Sequence, residues 1–220
     1  MQVGTDEAGK GPVLGSMFAA AVRADPECLP TAVTDSKRLS PTRREELAAE
    51  IRVAGTVAVV EVPVERIDDP ETDINSLTVA AHADALSQLV TGDEQAYLDA
   101  ADTNAVRFEH RVSERLETVP ELRAEHRADE TYPIVSAASI IAKVARDAHI
   151  AALASTYGDV GSGYPSDETT REFLREFVTE HERLPDCARS SWQTSRDILN
   201  ELGQVSLTEF ERTQSSLSEF

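Results

Sequence analysis

"GTDEAGKGPVLG", residues 4–15, nearly spells a phosphate-cradling P-loop: Gly4, four residues, Gly9, then Lys10. That pattern next requires Ser or Thr, whose hydroxyl ligates Mg²⁺ while backbone N–H groups hold the phosphates. Gly11 and Pro12 stand there instead. Asp6 and Glu7 also place two negative charges where a P-loop must hold a triphosphate of the same sign. An acidic pair beside a glycine turn suits a divalent cation better, because hard cations take carboxylate oxygens and leave positions for substrate phosphates. Such a cation needs further carboxylates from elsewhere in the chain.

Outward from this turn, residues 1–5 and 13–22 read as strands. Ser40-Pro41 is a helix start, an N-cap with Pro at the first helical position, and the helix runs to about Gly55. "TVAVVEVP" is short and β-branched, hence a strand. Residues 76–90 are expected to be helical, and "QAYLDA" (95–100) is a strand ending on Asp99. A charged helix near 106–117 and a short strand near 121–127 follow. "VSAASIIAKVARDAHIAALASTYG" is the longest helical pattern, rich in alanine and apolar at helical spacing. After "GSGYPSD" comes a helix with Phe173, Leu174 and Phe177 on one face, then another over roughly 190–202. Alternating strands and helices with a helix-only C-terminal third predict an α/β sheet domain plus a helical appendage. The expected divisions are 1–165, 166–203 and a tail, 204–220.

The 220 residues, 40% hydrophobic, suffice for one good-sized core with a small appendage. Cys28 and Cys187 form no CxxC arrangement, so neither a disulfide framework nor a zinc ribbon is suggested, and a reducing cytoplasm is expected. The N-terminus enters a strand-like segment with no basic and apolar leader, and no apolar run is long enough for a membrane span. The net charge of -19 argues against an ordinary nucleic-acid footprint. Of the 21 basic residues, however, three are lysine (Lys10, Lys37, Lys143) and 18 arginine. Abundant Asp and Glu with lysine nearly eliminated fit adaptation to molar salt, where charge is screened within about 3 Å.

Asp6 and Glu7 close the first strand, Asp99 ends a central strand, and Asp129 follows another in "HRADETYP". Strand ends are where open α/β sheets place their sites, and four converging carboxylates can hold two cations. Asp99 lies in an otherwise apolar segment, and a buried acid needs a partner or a metal. The five histidines show no HxH or HExxH spacing, which argues against a zinc hydrolase.

"GTDEAGKGPVLG", "DSKRLS", "YLDAADTN", "HRADETYPIVSAASIIAKVARD" and "GSGYPSD", in this order over about residues 1–170, resemble the signature segments of the ribonuclease HII family in its archaeal branch. The resemblance implies an RNase H-like fold: a five-stranded mixed sheet flanked by helices, with a helical C-terminal region. It implies Asp6, Glu7, Asp99 and Asp129 as catalytic metal ligands for Mg²⁺ or Mn²⁺. Cleavage of the RNA strand of RNA/DNA hybrids, and of DNA containing ribonucleotides, is expected to leave 5'-phosphate and 3'-hydroxyl ends. In two-metal hydrolysis one cation generates hydroxide and the other stabilises the leaving oxygen; Asp6 is expected to bridge both. A catalytically silent hybrid-binding module would need no four-carboxylate set.

Only the 2'-hydroxyl separates ribose from deoxyribose. The family reads it with a GRG turn and a tyrosine, which fall here on Gly9, Lys10, Gly11 and Tyr164. GKG is instead similar to the ribonuclease HIII group, which carries an extra N-terminal domain; with the motif beginning at residue 4, no such domain is expected here. Ser36 and Lys37 match the family as substrate contacts, and Arg38, Arg43 and Arg44 extend them into a basic cluster, a phosphate contact or a solvated helix start. Lys143, on the long helix, also matches, as a structural ion pair or a catalytic group. Two copies of Q-x-x-L-x-x-F, "QVSLTEF" (204–210) and "QSSLSEF" (214–220), resemble the motif by which repair proteins dock on a sliding clamp. Gln214, Leu217 and Phe220 are the expected anchors. The chain is expected to act as a monomer.

Overall fold

The computed structural model describes residues 1–33 and 39–201. The chain divides into two compact units, Met1–Lys10 with Ser16–His149, and Gly11–Gly15 with the residues from Ile150 onward.

Five strands form the first unit's sheet: β1 (Gln2–Ala8), β2 (Met17–Ala24), β3 (Gly55–Val62), β4 (Gln95–Asp99) and β5 (Glu121–Glu125). Their order is β3-β2-β1-β4-β5. β1, β2 and β3 run as an antiparallel meander, whereas β4 pairs parallel with β1 and β5 with β4. The helices are α1 (Pro41–Ala54), α2 (Val64–Ile67), α3 (Ile74–Ser87), α4 (Ala105–Ser113), α5 (Ala128–Thr131) and α6 (Pro133–Tyr157). Parallel pairs need crossover connections, and α2 and α3 lie on the one into β4 and α4 on the one from β4 to β5. Side-chain caps set three of the starts, Ser40 for α1, Asp73 for α3 and Asn104 for α4.

Both faces of the sheet are covered, and the period of two along β2 separates them. Ala20, Val22 and Ala24 join Leu47 and Ile51 of α1 and Ile134, Ile140 and Ile141 of α6. Ala21 joins Val3, Leu98, Val79 and Leu86 of α3, and Phe108 and Val112 of α4. Gly4 lets α6 lie directly on the central strand: a Cβ there would stand 2.4 Å from the carbonyl carbon of Ile134.

The strand expected over 13–22 begins only at Met17. Gly15, at φ 77, turns the chain out of the extended conformation, and the residues before it belong to the second unit. There Val13 N donates to Gly163 O (2.8 Å), Gly15 N to Cys187 O (2.8 Å) and Arg189 Nε to Gly15 O (2.9 Å). Phe173, Leu174 and Val178 of α7 (Glu168–His181) pack with Val13, Leu14, Val160, Cys187 and Ile198. Residues 193–201 are helical. Among the described residues no helix is long and apolar enough to cross a membrane.

Candidate metal centre

Successive side chains of a strand point to opposite faces, so on β1 Asp6 shares the α6 face with Gly4 and Glu7 shares the α3 face with Thr5. The contacts follow that alternation. Asp6 is hydrogen-bonded by Ser139 of α6, and Glu7 Oε2 lies 2.8 Å from Nε2 of His82 on α3. In the parallel ladder Thr5 is opposite Leu98, so Asp99, one residue further, falls beside Asp6 on the same face. Asp99 Oδ1 accepts from Ala128 N at 2.8 Å, which fastens α5, and Asp129 with it, to the end of β4. Arg127 stands just before α5 in the left-handed conformation, φ 58, an uncommon state for a residue with a side chain. The unpaired amides of a helix start are natural partners for a carboxylate. Asp129 thus follows β5, as expected, and lies in a short helix.

The carboxylates act on one another. Burial pushes the Asp6 carboxyl well above its ordinary range, and Glu7 and Asp99 push it the same way against the Ser139 hydrogen bond. Asp99 is raised as well, by burial first, opposed by the Ala128 amide and reinforced by Asp129 and Glu7. Acids that merely stabilise the fold look different. Asp102, three residues beyond Asp99, is held by Arg107 at 2.6 Å, and buried Glu94 by Arg23 at 2.6 Å. Neighbouring like charges combined with burial are what a bound cation compensates, and an all-oxygen donor set suits Mg²⁺ or Mn²⁺. Among the described residues no three such side chains stand close enough together to hold a cation as they are. Carboxylates repel one another, and Glu7 is held toward His82 on the α3 face.

Lys143 Nζ donates to Ser139 Oγ at 2.7 Å, and Ser139 in turn bonds Asp6. Ser139 and Lys143 are four residues apart on α6 and so share one face, a spacing visible in the sequence. His82 is a site residue that sequence reasoning missed, because nothing local distinguishes it within an alanine-rich helix.

Gly9 takes φ 84, and Lys10 Nζ donates to Ala101 O at 2.7 Å, tying the turn to the loop after Asp99. Within the second unit, Tyr164 is 40% exposed and its ring lies 3.9 Å from where a Cβ on Gly11 would stand. Trp192 Nε1 donates to Gly11 O at 3.2 Å. Arg43 pairs with Glu46 and Glu50, and Arg44 with Asp147 at 2.8 Å, so both basic groups near Lys37 have acidic partners. Ser36, Lys37, Arg38, Gln214, Leu217 and Phe220 lie outside the described residues.

The sequence model of the family described as Ribonuclease HII matches residues 3–195. The chain belongs to the ribonuclease HII family. It is a type 2 ribonuclease H, an endonuclease acting on RNA/DNA hybrids. A ribonuclease HII from Halobacterium salinarum is 60% identical over 94% of this chain and 98% of its own length, a source that fits the salt-adapted composition. The ribonuclease H2 of Pyrococcus horikoshii superposes with a TM-score of 0.85 at 37% identity, covering 90% of this chain and 97% of its own. The ribonuclease HII of Archaeoglobus fulgidus, solved as a complex with PCNA, gives 0.82 at 40% identity, with 90% and 96% covered. The RNase H-like fold implied by the signature segments is therefore the fold of this ribonuclease HII chain.

Proposed function

We propose that this ribonuclease HII hydrolyses both RNA/DNA hybrids and ribonucleotides embedded in DNA by a two-metal mechanism, and so removes ribonucleotides during replication and repair. The observation that carries the reading is Asp6, a buried carboxyl pushed upward beside Glu7 and Asp99, which calls for cationic compensation. Asp6, Glu7, Asp99 and Asp129 hold the Mg²⁺ or Mn²⁺ ions. Bound there, the ions lower the pKa of water and stabilise charge on the leaving oxygen. The products carry 5'-phosphate and 3'-hydroxyl ends. The backbone of Gly9, Lys10 and Gly11 reads the 2'-hydroxyl, and Tyr164, half-exposed beside Gly11, packs against the sugar at the junction. Ser36 and Lys37 contact phosphate. The protein acts as a cytoplasmic monomer, and its tail anchors Gln214, Leu217 and Phe220 to a sliding clamp; the PCNA complex of the A. fulgidus relative supports this partner.

The test is cleavage of a duplex with one ribonucleotide in DNA, beside a full hybrid, in molar KCl with Mg²⁺ or Mn²⁺, for wild type and Asp99→Asn. Wild type should cut both and the variant neither. Cleavage of the hybrid alone would remove the junction reading while leaving the metal site, and undiminished cleavage by Asp99→Asn would reject the metal site itself. For the tail, deletion after Gly203 should abolish capture by clamp-loaded beads without altering hybrid cleavage; retained capture would refute clamp docking.

A further inference from the structure

We infer that His82 is a positioning residue that holds Glu7 ready for a cation, an inference resting on the four-carboxylate reading above. His82 is fully buried on a helix face it shares with Thr78, Val79, Ala85 and Leu86, where an apolar side chain would pack at no polar cost. A buried imidazole is costly unless both nitrogens are bonded. Both are bonded here, and to a single strand. Nε2 lies 2.8 Å from Glu7 Oε2, and Nδ1 lies 3.2 Å from Thr5 Oγ1. Thr5 and Glu7 are two apart on β1 and therefore face the same way, which matches the spread of the two ring nitrogens.

An ionised carboxylate only accepts, so Nε2 carries the hydrogen in this bond, while the Thr5 hydroxyl can serve Nδ1 as donor or acceptor. Phe108 stands edge-on to the ring, centroids 5.1 Å apart at 87°. Three contacts from two elements thus fix the imidazole, and the imidazole fixes one oxygen of Glu7. Glu7 is the longest of the four carboxylate side chains and has the most rotamers to lose on binding a cation. Restricting it beforehand removes part of that cost, and hydrogen-bonded partners of ligating carboxylates are typically worth about 10- to 100-fold in metal affinity. A core histidine with only a packing role would influence stability and leave that affinity alone.

The experiment measures Mn²⁺ binding without substrate, by the spectroscopic signal of free Mn²⁺ at one fixed pH, on wild type, His82→Phe, His82→Gln, Thr5→Val and Asp99→Asn. Metal-free melting temperatures are recorded alongside. His82→Phe should weaken Mn²⁺ binding by about 10- to 100-fold and raise the Mn²⁺ needed for half-maximal cleavage by the same factor. His82→Gln, whose amide nitrogen can replace Nε2, should recover most of the affinity, and Thr5→Val should fall between. Wild-type affinity in His82→Phe, or a Gln variant no better than Phe, would overturn the inference. If His82→Phe does not fold, the Gln and Thr5→Val variants decide it by the same ordering. Asp99→Asn separates the two levels: wild-type binding and cleavage in that variant would remove the four-carboxylate reading itself, whatever His82 does.

Discussion

Gly4→Ala tests the packing on which the whole site depends. A Cβ at Gly4 would meet Ile134 C at 2.4 Å, Ile134 O at 2.5 Å and Val135 N at 2.6 Å. Non-bonded carbons rest at about 3.5–4.0 Å, so β1 and the start of α6 must separate by about 1 Å. All three obstructing atoms are main chain, and no rotamer change can relieve them. Overpacking of this kind costs about 1–3 kcal/mol or more. At the upper figure the melting temperature of a chain this size should drop by about 6–12 °C. The displaced element carries Ser139, which bonds Asp6, and a 1 Å misplacement near reacting groups can cost about 100-fold in rate. Thermal melts in molar KCl with chelator, together with single-turnover hybrid cleavage, measure both effects. Trimming the neighbour in Gly4→Ala/Ile134→Val should rescue neither, because the clash is with backbone. A single variant melting within about 2 °C of wild type, or recovery in the double variant, would refute the close-approach argument.

Asp6 keeps a proton in the native state at pH values where the unfolded chain has lost it, so metal-free stability falls as pH rises from near the ordinary 3.8 through the raised native value. Asp6→Asn should therefore melt higher than wild type at pH 8 without metal and gain nothing from Mn²⁺; a lower melt would count against it. Lys10→Met loses the bond to Ala101 O and should lower kcat/KM about 12- to 150-fold, the worth of a charge-assisted hydrogen bond, equally on hybrid and single-ribonucleotide substrates. A loss confined to the single ribonucleotide would mean the side chain itself reads the junction. Burial pushes the Cys187 thiol up to about 11 while Cys28 is exposed, so a thiol reagent at pH 8 should titrate one cysteine in the native protein and both in denaturant; two fast equivalents would contradict the buried assignment. The unfolding midpoint should rise from dilute to molar KCl, and greatest stability in low salt would sink the halophilic reading.

The elements with local punctuation were legible in advance. Ser40-Pro41 announced α1, and the β-branched run from Thr56 announced β3, each within a residue of where it lies. The four carboxylates could be singled out because strand ends concentrate sites; in the structure Glu7 and Asp99 act on Asp6, and Asp129 acts on Asp99 from α5. What escaped depended on distant partners or on backbone states without a residue signal. The strand expected from Val13 reads as one apolar stretch, and Gly15 inside it breaks the extended conformation. Arg127 adopts a left-handed turn with no glycine to advertise it. His82 acquires its role only from Thr5 and Glu7, 77 and 75 residues away in sequence. Asp99 and Asp102 are three residues apart, and the structure separates them: Asp102 pairs with Arg107, whereas Asp99 accepts from the Ala128 amide and is pushed up by burial.

Adjacent carboxylates on one strand raise a mechanical difficulty. Asp6 and Glu7 necessarily leave β1 on opposite faces, so no single helix can hold both, yet the proposed two-metal site needs both. The fold answers by covering the sheet on its two sides: α6 supplies Ser139 and Lys143 behind Asp6, and α3 supplies His82 behind Glu7. Asp99 shares the Asp6 face through the parallel register, and the amide of Ala128 holds it from α5. It follows that damage to α3 and damage to α6 should differ in kind. Loosening α6 disturbs the buried Asp6 and its neighbour Asp99 together, whereas loosening α3 releases Glu7 alone. A two-sided cover is thus a condition for an acidic pair at consecutive strand positions, and it explains why a site that begins with two adjacent residues needs helices from 75 and 133 residues downstream to complete it.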